Sequence, residues 1–187
     1  MSTMYSIGAI NQLADAFENA GLTSDDLTKL RQFKDLAKLK DVITGEAVIK
    51  YPEHLIDCNA DPFIPCSWEL ESHKKGGMFE FNKEKFFLYL TKKQKKRSIE
   101  GNELRKELLG KPVMNANVLD YLLAHPKLIP EEWESKYIFF WGTIYRNSNG
   151  LLYVRYLRWD GSQWGWRCHW LDDDFAPGYV AVLASWS

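Results

Sequence analysis

The chain has 187 residues, of which 45% are apolar and 14% aromatic, and its formal net charge is −1. This length and apolar share can build a real hydrophobic core, which excludes a mainly disordered or collagen-like chain. Because 24 Lys and Arg are balanced by 25 Asp and Glu, a globally basic nucleic-acid-binding protein is also excluded, although local basic patches are not.

The sequence predicts a cytoplasmic protein that does not bind a membrane. All apolar runs are shorter than the roughly 18 residues of a membrane helix, and residues 1–6 lack the basic and apolar regions of a signal peptide. Cys58, Cys66 and Cys168 are odd in number and unevenly spaced, which favours reduced thiols over a disulfide framework.

Residues 1–50 are predicted to form a helical unit. Apolar side chains at helical spacing predict helices over 7–20, after Ser24, and over 36–43. The Ala20–Thr23 turn loosely resembles a helix-turn-helix, but six bases against seven acids in this segment disfavour DNA binding. We expect a tethering or oligomerisation role, and the oligomeric state stays open.

The rest of the chain is predicted to be an irregular linker, 51–77, followed by an α+β domain, 78–187. Pro52, Pro62, Pro65, Gly76 and Gly77 indicate the linker. The domain is predicted to contain strands over 78–81 and 86–91, helices over 100–109 and 115–124, and a C-terminal antiparallel sheet over 137–185. The fold class is therefore α+β, an N-terminal helical unit followed by a mixed helix and antiparallel-sheet domain.

A basic run, Lys92–Arg97, supports an alternative function. Residues 83–111 hold ten bases against four acids, so this run could contact nucleic-acid phosphates. Aromatic residues do not interrupt the run, which favours an ordinary solvated loop. A nucleic-acid-associated protein that uses residues 92–97 is thus the second, less favoured hypothesis.

The C-terminal segment has an unusual composition. Six of the eight tryptophans lie in the last 47 residues, namely Trp141, Trp159, Trp164, Trp166, Trp170 and Trp186. All seven charged residues of 151–187 are Arg or Asp, although the whole chain has 17 Lys and 13 Glu, and chance would give this about once in a thousand. Arg, Tyr and Trp dominate binding hot spots, so this bias indicates a binding surface, while an aromatic core is the simpler reading of the tryptophans.

Several segments carry a resemblance to known proteins. Asp57–Ser67, Glu71–Gly77, Gly110–Tyr121, Leu128–Trp133 and Phe139–Arg146 resemble uncharacterised proteins of small-genome bacteria of the candidate phyla. The ending, Trp164–Asp174 and Ala181–Ser185, resembles the variable region of target proteins of diversity-generating retroelements. There an error-prone reverse transcriptase randomises the adenines of a template repeat. Most known targets are C-type-lectin-like and bind ligands, which is what the resemblance implies here.

The resemblance implies a division between fixed and variable positions. Randomised Asn codons can give Asp, Arg, His, Tyr, Ser, Gly, Cys, Ala, Pro or Phe, but never Lys, Glu, Gln, Met or Trp, so Gln163 must be fixed. The implied scaffold consists of Trp159, Trp164, Trp166, Trp170 and Leu171. The implied variable, ligand-binding set consists of Tyr156, Arg158, Asp160, Ser162, Gly165, Arg167, Cys168, His169, Asp172, Asp174, Ala176, Gly178 and Tyr179.

The predicted function is a non-enzymatic protein that binds an unknown protein or small molecule through a hypervariable C-terminal surface. No catalytic residues, resident metal or cofactor are predicted. Cys168 and His169 are adjacent, so in a strand they would point to opposite faces rather than form a catalytic pair. His54, Cys58, Cys66 and His73 do not have a usual zinc spacing, and Asp172–Asp174 is read as a solvated turn in preference to a calcium site.

Overall fold

The computed structural model describes residues 4–50 and 52–185 and confirms the α+β class. Among these residues it contains five α-helices and ten β-strands. The chain divides into two compact units, Met1–Tyr51 and Pro52–Ser187. No helix in the described part of the chain is long and apolar enough to cross a bilayer.

The first unit consists of three helices, α1 (Ile7–Asn19), α2 (Ser24–Gln32) and α3 (Leu36–Ile43). Two of them begin at side-chain caps, since Ser6 Oγ accepts from the Ala9 amide and Thr23 forms a capping box with Asp26. No residue of these helices is buried. Their apolar sides instead line an open groove within this unit.

The second unit is built on a six-stranded sheet. Five strands lie in the order β4 (Phe86–Tyr89), β10 (Tyr179–Ala184), β6 (Tyr137–Arg146), β7 (Leu152–Trp159) and β8 (Trp164–Trp170). The sheet is mixed rather than purely antiparallel as predicted, because β10 runs parallel to β6 with Tyr179 beside Tyr137. The β6–β7–β8 meander is antiparallel, so the predicted hairpins are present there.

Residues 51–77 were expected to be an irregular linker, but the structure contains two strands there. β1 (Leu55–Asp57) pairs with β3 (Met78–Glu80), and β2 (Glu69–His73) is the sixth strand of the main sheet. β2 pairs with the second half of β6, with Glu69 opposite Arg146. The prolines lie outside these two strands, and a pairing with β6 so distant in sequence cannot be read from local composition.

Helices and a small sheet cover the two faces of the main sheet. One face packs against α5 (Ala116–Ala124), with Leu119, Phe140 and Leu157 among its core residues. The other packs against α4 (Gly101–Glu107) and the two-stranded sheet of β5 (Ile99–Glu100) and β9 (Asp174–Phe175). Short 3-10 helices lie at Lys83–Lys85, Pro126–Leu128 and Glu131–Trp133.

Two glycines permit close packing that positions these layers. A Cβ atom on Gly142 of β6 would lie 2.9 Å from the Asn115 backbone at the start of α5. A Cβ atom on Gly101 would lie 2.7 Å from the Leu171 carbonyl oxygen and would also collide with the Phe175 ring. Since real Cβ contacts are longer than this, both positions require glycine.

Candidate ligand-binding face

Strand pairing brings several of the predicted variable residues to one side of the sheet. Across the β7–β8 pair, Tyr156 lies opposite Arg167, Arg158 opposite Gly165, and Val154 opposite His169. Opposed residues of antiparallel strands share a face, so Tyr156, Arg158, Arg167 and His169 all lie on the same face.

Two tyrosines from neighbouring strands complete this surface. The Tyr137 ring of β6 lies 5.6 Å from that of Tyr156 and 4.8 Å from that of Tyr179 on β10, measured between centroids. The Arg158 guanidinium lies 5.9 Å from the centroid of the Tyr137 ring. We name this surface the tyrosine–arginine face; its members are Tyr137, Tyr156, Arg158, Arg167, His169 and Tyr179.

Buried phenylalanines form the floor of the tyrosine–arginine face. Phe139 lies 4.8 Å from Tyr156 and Phe175 lies 4.6 Å from His169, again between ring centroids. Both phenylalanines are fully buried. Tyr156 and His169 therefore pack against buried aromatic rings, an arrangement that favours a defined position for both side chains.

The face combines tyrosine hydroxyls with arginine side chains that are not fully buried. Burial raises the pKa values of the Tyr156 and Tyr179 hydroxyls, which therefore stay protonated and can donate hydrogen bonds at neutral pH. Arg158 is half-buried and Arg167 exposed, so their guanidinium groups are accessible for ion pairs and cation–π contacts. Half-buried aromatic rings beside arginine are the typical composition of binding hot spots.

The loop after β8 adjoins this face and adds acidic groups. His169 Nε2 lies 3.2 Å from the Asp174 carbonyl oxygen and 3.9 Å from an Asp173 carboxylate oxygen. Asp172 accepts a hydrogen bond from the Asn102 side chain of α4. Ala176 and Gly178 follow in the same connection to β10. Asp172, Asp174, Ala176 and Gly178 of the predicted variable set thus lie beside the tyrosine–arginine face.

Gln94 supports this loop, and sequence reasoning gave it no role. Gln94 belongs to the basic run 92–97, but its side chain is buried. Its Nε2 donates to the carbonyl oxygens of Ala176, at 3.1 Å, and Tyr179. Its only sequence signal was that it is a single uncharged residue within a run of bases.

The basic run also contains a paired cation, since Lys93 forms ion pairs with Glu103 and Glu107 of α4. Gln94 is therefore structural and Lys93 is paired, which leaves the other four bases of the run exposed and without an ion pair among the described residues.

Cys168 does not lie on the tyrosine–arginine face, contrary to the prediction for it. It alternates with Arg167 and His169 along β8 and so points to the other side, opposite Arg155. Burial raises the pKa of its thiol to about 11, which keeps it a protonated, unreactive group. Cys168 and His169 also point apart, as expected from their adjacency.

The predicted scaffold tryptophans share the face that carries Cys168. The pairing places Trp159 opposite Trp164, Leu157 opposite Trp166, and Tyr153 opposite Trp170. Trp164 and Trp166 are half-buried against the core, and Leu171 is fully buried. Trp170 differs from a scaffold residue because 37% of it is exposed, at the edge of the sheet. Trp186 lies outside the described residues.

Arg155 is the most deeply buried charge in the second unit. Only 1% of this residue is exposed, and its guanidinium donates to both Asp120 oxygens, at 3.0 and 2.6 Å. The guanidinium also lies 4.3 Å from the Trp166 ring and 5.2 Å from the Phe63 ring. Arg155 thus ties β7 to α5 on the side away from the tyrosine–arginine face.

The remaining predicted variable residues, Asp160 and Ser162, form the tight β7–β8 turn. Asp160 Oδ1 accepts hydrogen bonds from the backbone amides of Gln163 and Ser162 at 2.8 and 2.9 Å. These bonds lower the pKa of Asp160 to about 2. The turn lies at the end of the hairpin, so Asp160 and Ser162 are exposed but separate from the six residues of the tyrosine–arginine face.

The two histidines weighed as zinc ligands have other partners. His54 lies 3.0 Å from the Tyr121 hydroxyl, and His73 Nδ1 lies 2.9 Å from Thr143 Oγ1. Cys58 is a buried thiol, and burial raises its pKa to about 11. Across residues 4–50 and 52–185, no group of three His, Cys, Asp or Glu side chains is placed to hold a metal ion.

The chain matches no protein-family model, no curated protein and no solved structure. The geometry of the tyrosine–arginine face is therefore the basis for any functional conclusion.

Proposed function

We propose that this is a non-enzymatic, cytoplasmic ligand-binding protein whose C-terminal surface is diversified by a retroelement. The ligand, a protein or a small molecule, contacts the tyrosine–arginine face and the adjoining loop 172–178. The C-type-lectin-like character implied by the resemblance is part of this proposal.

One observation carries the proposal. Five residues of the predicted variable set, Tyr156, Arg158, Arg167, His169 and Tyr179, come together on one face, although they belong to three different strands. The set follows from the resemblance and from the residues that randomised Asn codons allow. Its convergence on one surface is what a diversified binding site requires.

The energetics of the two sides of the hairpin also support the proposal. Arg158, Gly165 and Arg167 are half-buried or exposed, and no atom lies within 4 Å of the place where a Gly165 Cβ would sit. Substitutions at such positions usually change stability by about 0.5 kcal/mol or less. The other side carries the Arg155–Asp120 ion pair and the packed indoles, which hold the hairpin while positions 158, 165 and 167 vary.

The DNA around the gene tests this proposal. It predicts a reverse-transcriptase gene nearby and an imperfect repeat of the end of this gene, with differences at template adenines. It also predicts CGC or CGT codons for Arg158 and Arg167, since randomised Asn codons yield only these. AGA or AGG codons at both positions, or the absence of any such repeat, would overturn the retroelement part of the proposal.

A further inference from the structure

A cavity of about 450 Å³ lies away from the tyrosine–arginine face, between the β2–β6 edge, helix α4 and the segment 108–113. Its volume is within the range of small-molecule sites. Apolar side chains form much of its wall, and they are contributed by Leu108, Val113, Trp141 and Ile144.

Three cations surround the cavity, namely Lys74, Arg105 and Lys111. In the described part of the chain, no carboxylate oxygen lies within 4.0 Å of any of them. This differs from Lys93 at the other side of α4, which two glutamates neutralise. The cavity therefore combines an apolar wall with uncompensated positive charge.

Neutral partners hold these cations at the cavity. Lys74 Nζ donates to the Lys111 carbonyl oxygen at 2.6 Å, and Arg105 Nη2 donates to Ser72 Oγ at 3.3 Å. Lys111 Nζ lies 4.9 Å from the centroid of the Tyr89 ring. These contacts restrict the side chains without cancelling their charge. The side chains therefore lose less conformational entropy when they bind an anion.

The Trp141 indole belongs to the same wall, and its nitrogen is buried. Only 6% of this residue is exposed, and its indole Nε1 is buried without a hydrogen-bond partner among the described residues. Buried indole N–H groups usually have a partner. Because this nitrogen has almost no accessible surface, the Trp141 ring contributes to the cavity as part of its apolar wall.

We propose that this cavity binds a small organic anion, an aryl or alkyl group that carries a phosphate or a carboxylate. The apolar body lies against Leu108, Val113 and Ile144, and the anionic group is bound by Lys74, Arg105 and Lys111. This site is additional to the ligand-binding face and does not depend on its diversification.

Calorimetric titration of the full chain at low salt tests the site. The probes are phenyl phosphate, phenylacetate, inorganic phosphate and neutral benzyl alcohol. We expect saturable binding of phenyl phosphate or phenylacetate with a Kd below about 1 mM, and the tighter of the two identifies the preferred anionic group. Inorganic phosphate and benzyl alcohol should bind at least about tenfold more weakly. Inorganic phosphate lacks the apolar ring, and benzyl alcohol lacks the anionic group.

Variants localise the binding. Arg105→Gln and Lys111→Gln should each weaken it about tenfold. Lys106→Gln on the exposed side of α4 and Arg167→Gln on the tyrosine–arginine face should leave it unchanged. Circular dichroism confirms that each variant folds.

Absence of saturable binding to either aromatic anion would overturn the inference. Equal losses in Lys106→Gln and Arg105→Gln would also overturn it, since binding would then reflect the general charge of α4. If binding were lost only in Arg167→Gln, the anion would bind at the tyrosine–arginine face. That result would contradict this inference but not the proposed function.

Discussion

Arg155 on β7 and Asp120 on α5 are joined by two hydrogen bonds of 3.0 and 2.6 Å, although 35 residues separate them in sequence. The arginine is buried whereas the aspartate is about one-third exposed. The pair fixes the β7–β8 hairpin against the helix from the side opposite the tyrosine–arginine face. The face can therefore change its side chains without losing this attachment.

Removal of Asp120 should destabilise the protein strongly, because it leaves the Arg155 charge buried without its partner. We expect Asp120→Ala to lower the free energy of unfolding by about 3 kcal/mol, measured by urea denaturation. The double variant Asp120→Ala/Arg155→Met should be more stable than Asp120→Ala, since the orphaned charge is then absent. If the double variant lost as much unfolding free energy as Asp120→Ala and Arg155→Met lose together, the two residues would not be coupled.

Gly101 is required where α4 meets the β8–β9 connection. Gly101→Ala should cost about 2 kcal/mol of unfolding free energy, because its Cβ would collide with Phe175 and the Leu171 carbonyl. Gly165→Ala is the matched control; it should change stability by about 0.5 kcal/mol or less, since nothing lies within 4 Å of its Cβ position. Equal costs at the two positions would contradict the packing described for α4.

Gln94 should stabilise the loop that precedes β10. Gln94→Ala removes its hydrogen bonds to the Ala176 and Tyr179 carbonyls, so we expect a loss of about 1–2 kcal/mol and faster amide hydrogen exchange over 174–180. Lys95→Ala, at an exposed neighbouring position, should leave both quantities unchanged. Unchanged exchange in Gln94→Ala would show that the loop does not depend on this side chain.

His73 should make stability depend on pH in the mildly acidic range. Burial lowers its pKa below the ordinary value of 6.5, so the unfolded chain binds the proton more tightly than the folded one. The neutral His73 side chain therefore makes its full contribution to the free energy of unfolding above pH 6.5. This contribution is lost as the pH falls through the pKa of His73 in the folded state. His73→Gln should have a shallower decline in thermal midpoint between pH 7 and pH 5, and an identical decline would refute this assignment.

Local patterns predicted most of the helices and strands, because side-chain periodicity and turn residues are local properties. The predicted helices over 100–109 and 115–124 contain α4 and α5. β6 matches the aromatic and β-branched run over 137–145, and β7 follows the alternation in 151–159. Non-local pairing was not predictable in this way. The contact of β2 with β6 and the parallel arrangement of β10 beside β6 leave no trace in composition.

The candidate site shows the same division. Alternation along β7 and β8 predicts that Tyr156 and Arg158 share a side, but the register that brings Arg167 and His169 to them is a tertiary property. The wrong placement of Cys168 came from codon reasoning, which takes no account of the two-residue period of a strand. Tyr137 and Asp120 carried no distinguishing signal, because their partners are remote in sequence.

Sequencing the end of this gene from many cells of one lineage tests the central claim most directly, because it records which positions vary under selection. We predict that substitutions concentrate at Tyr156, Arg158, Arg167, His169 and Tyr179, while Trp159, Trp164, Trp166 and Arg155 stay constant. Substitutions spread evenly over both sides of the β7–β8 hairpin, or an invariant tyrosine–arginine face, would contradict the account.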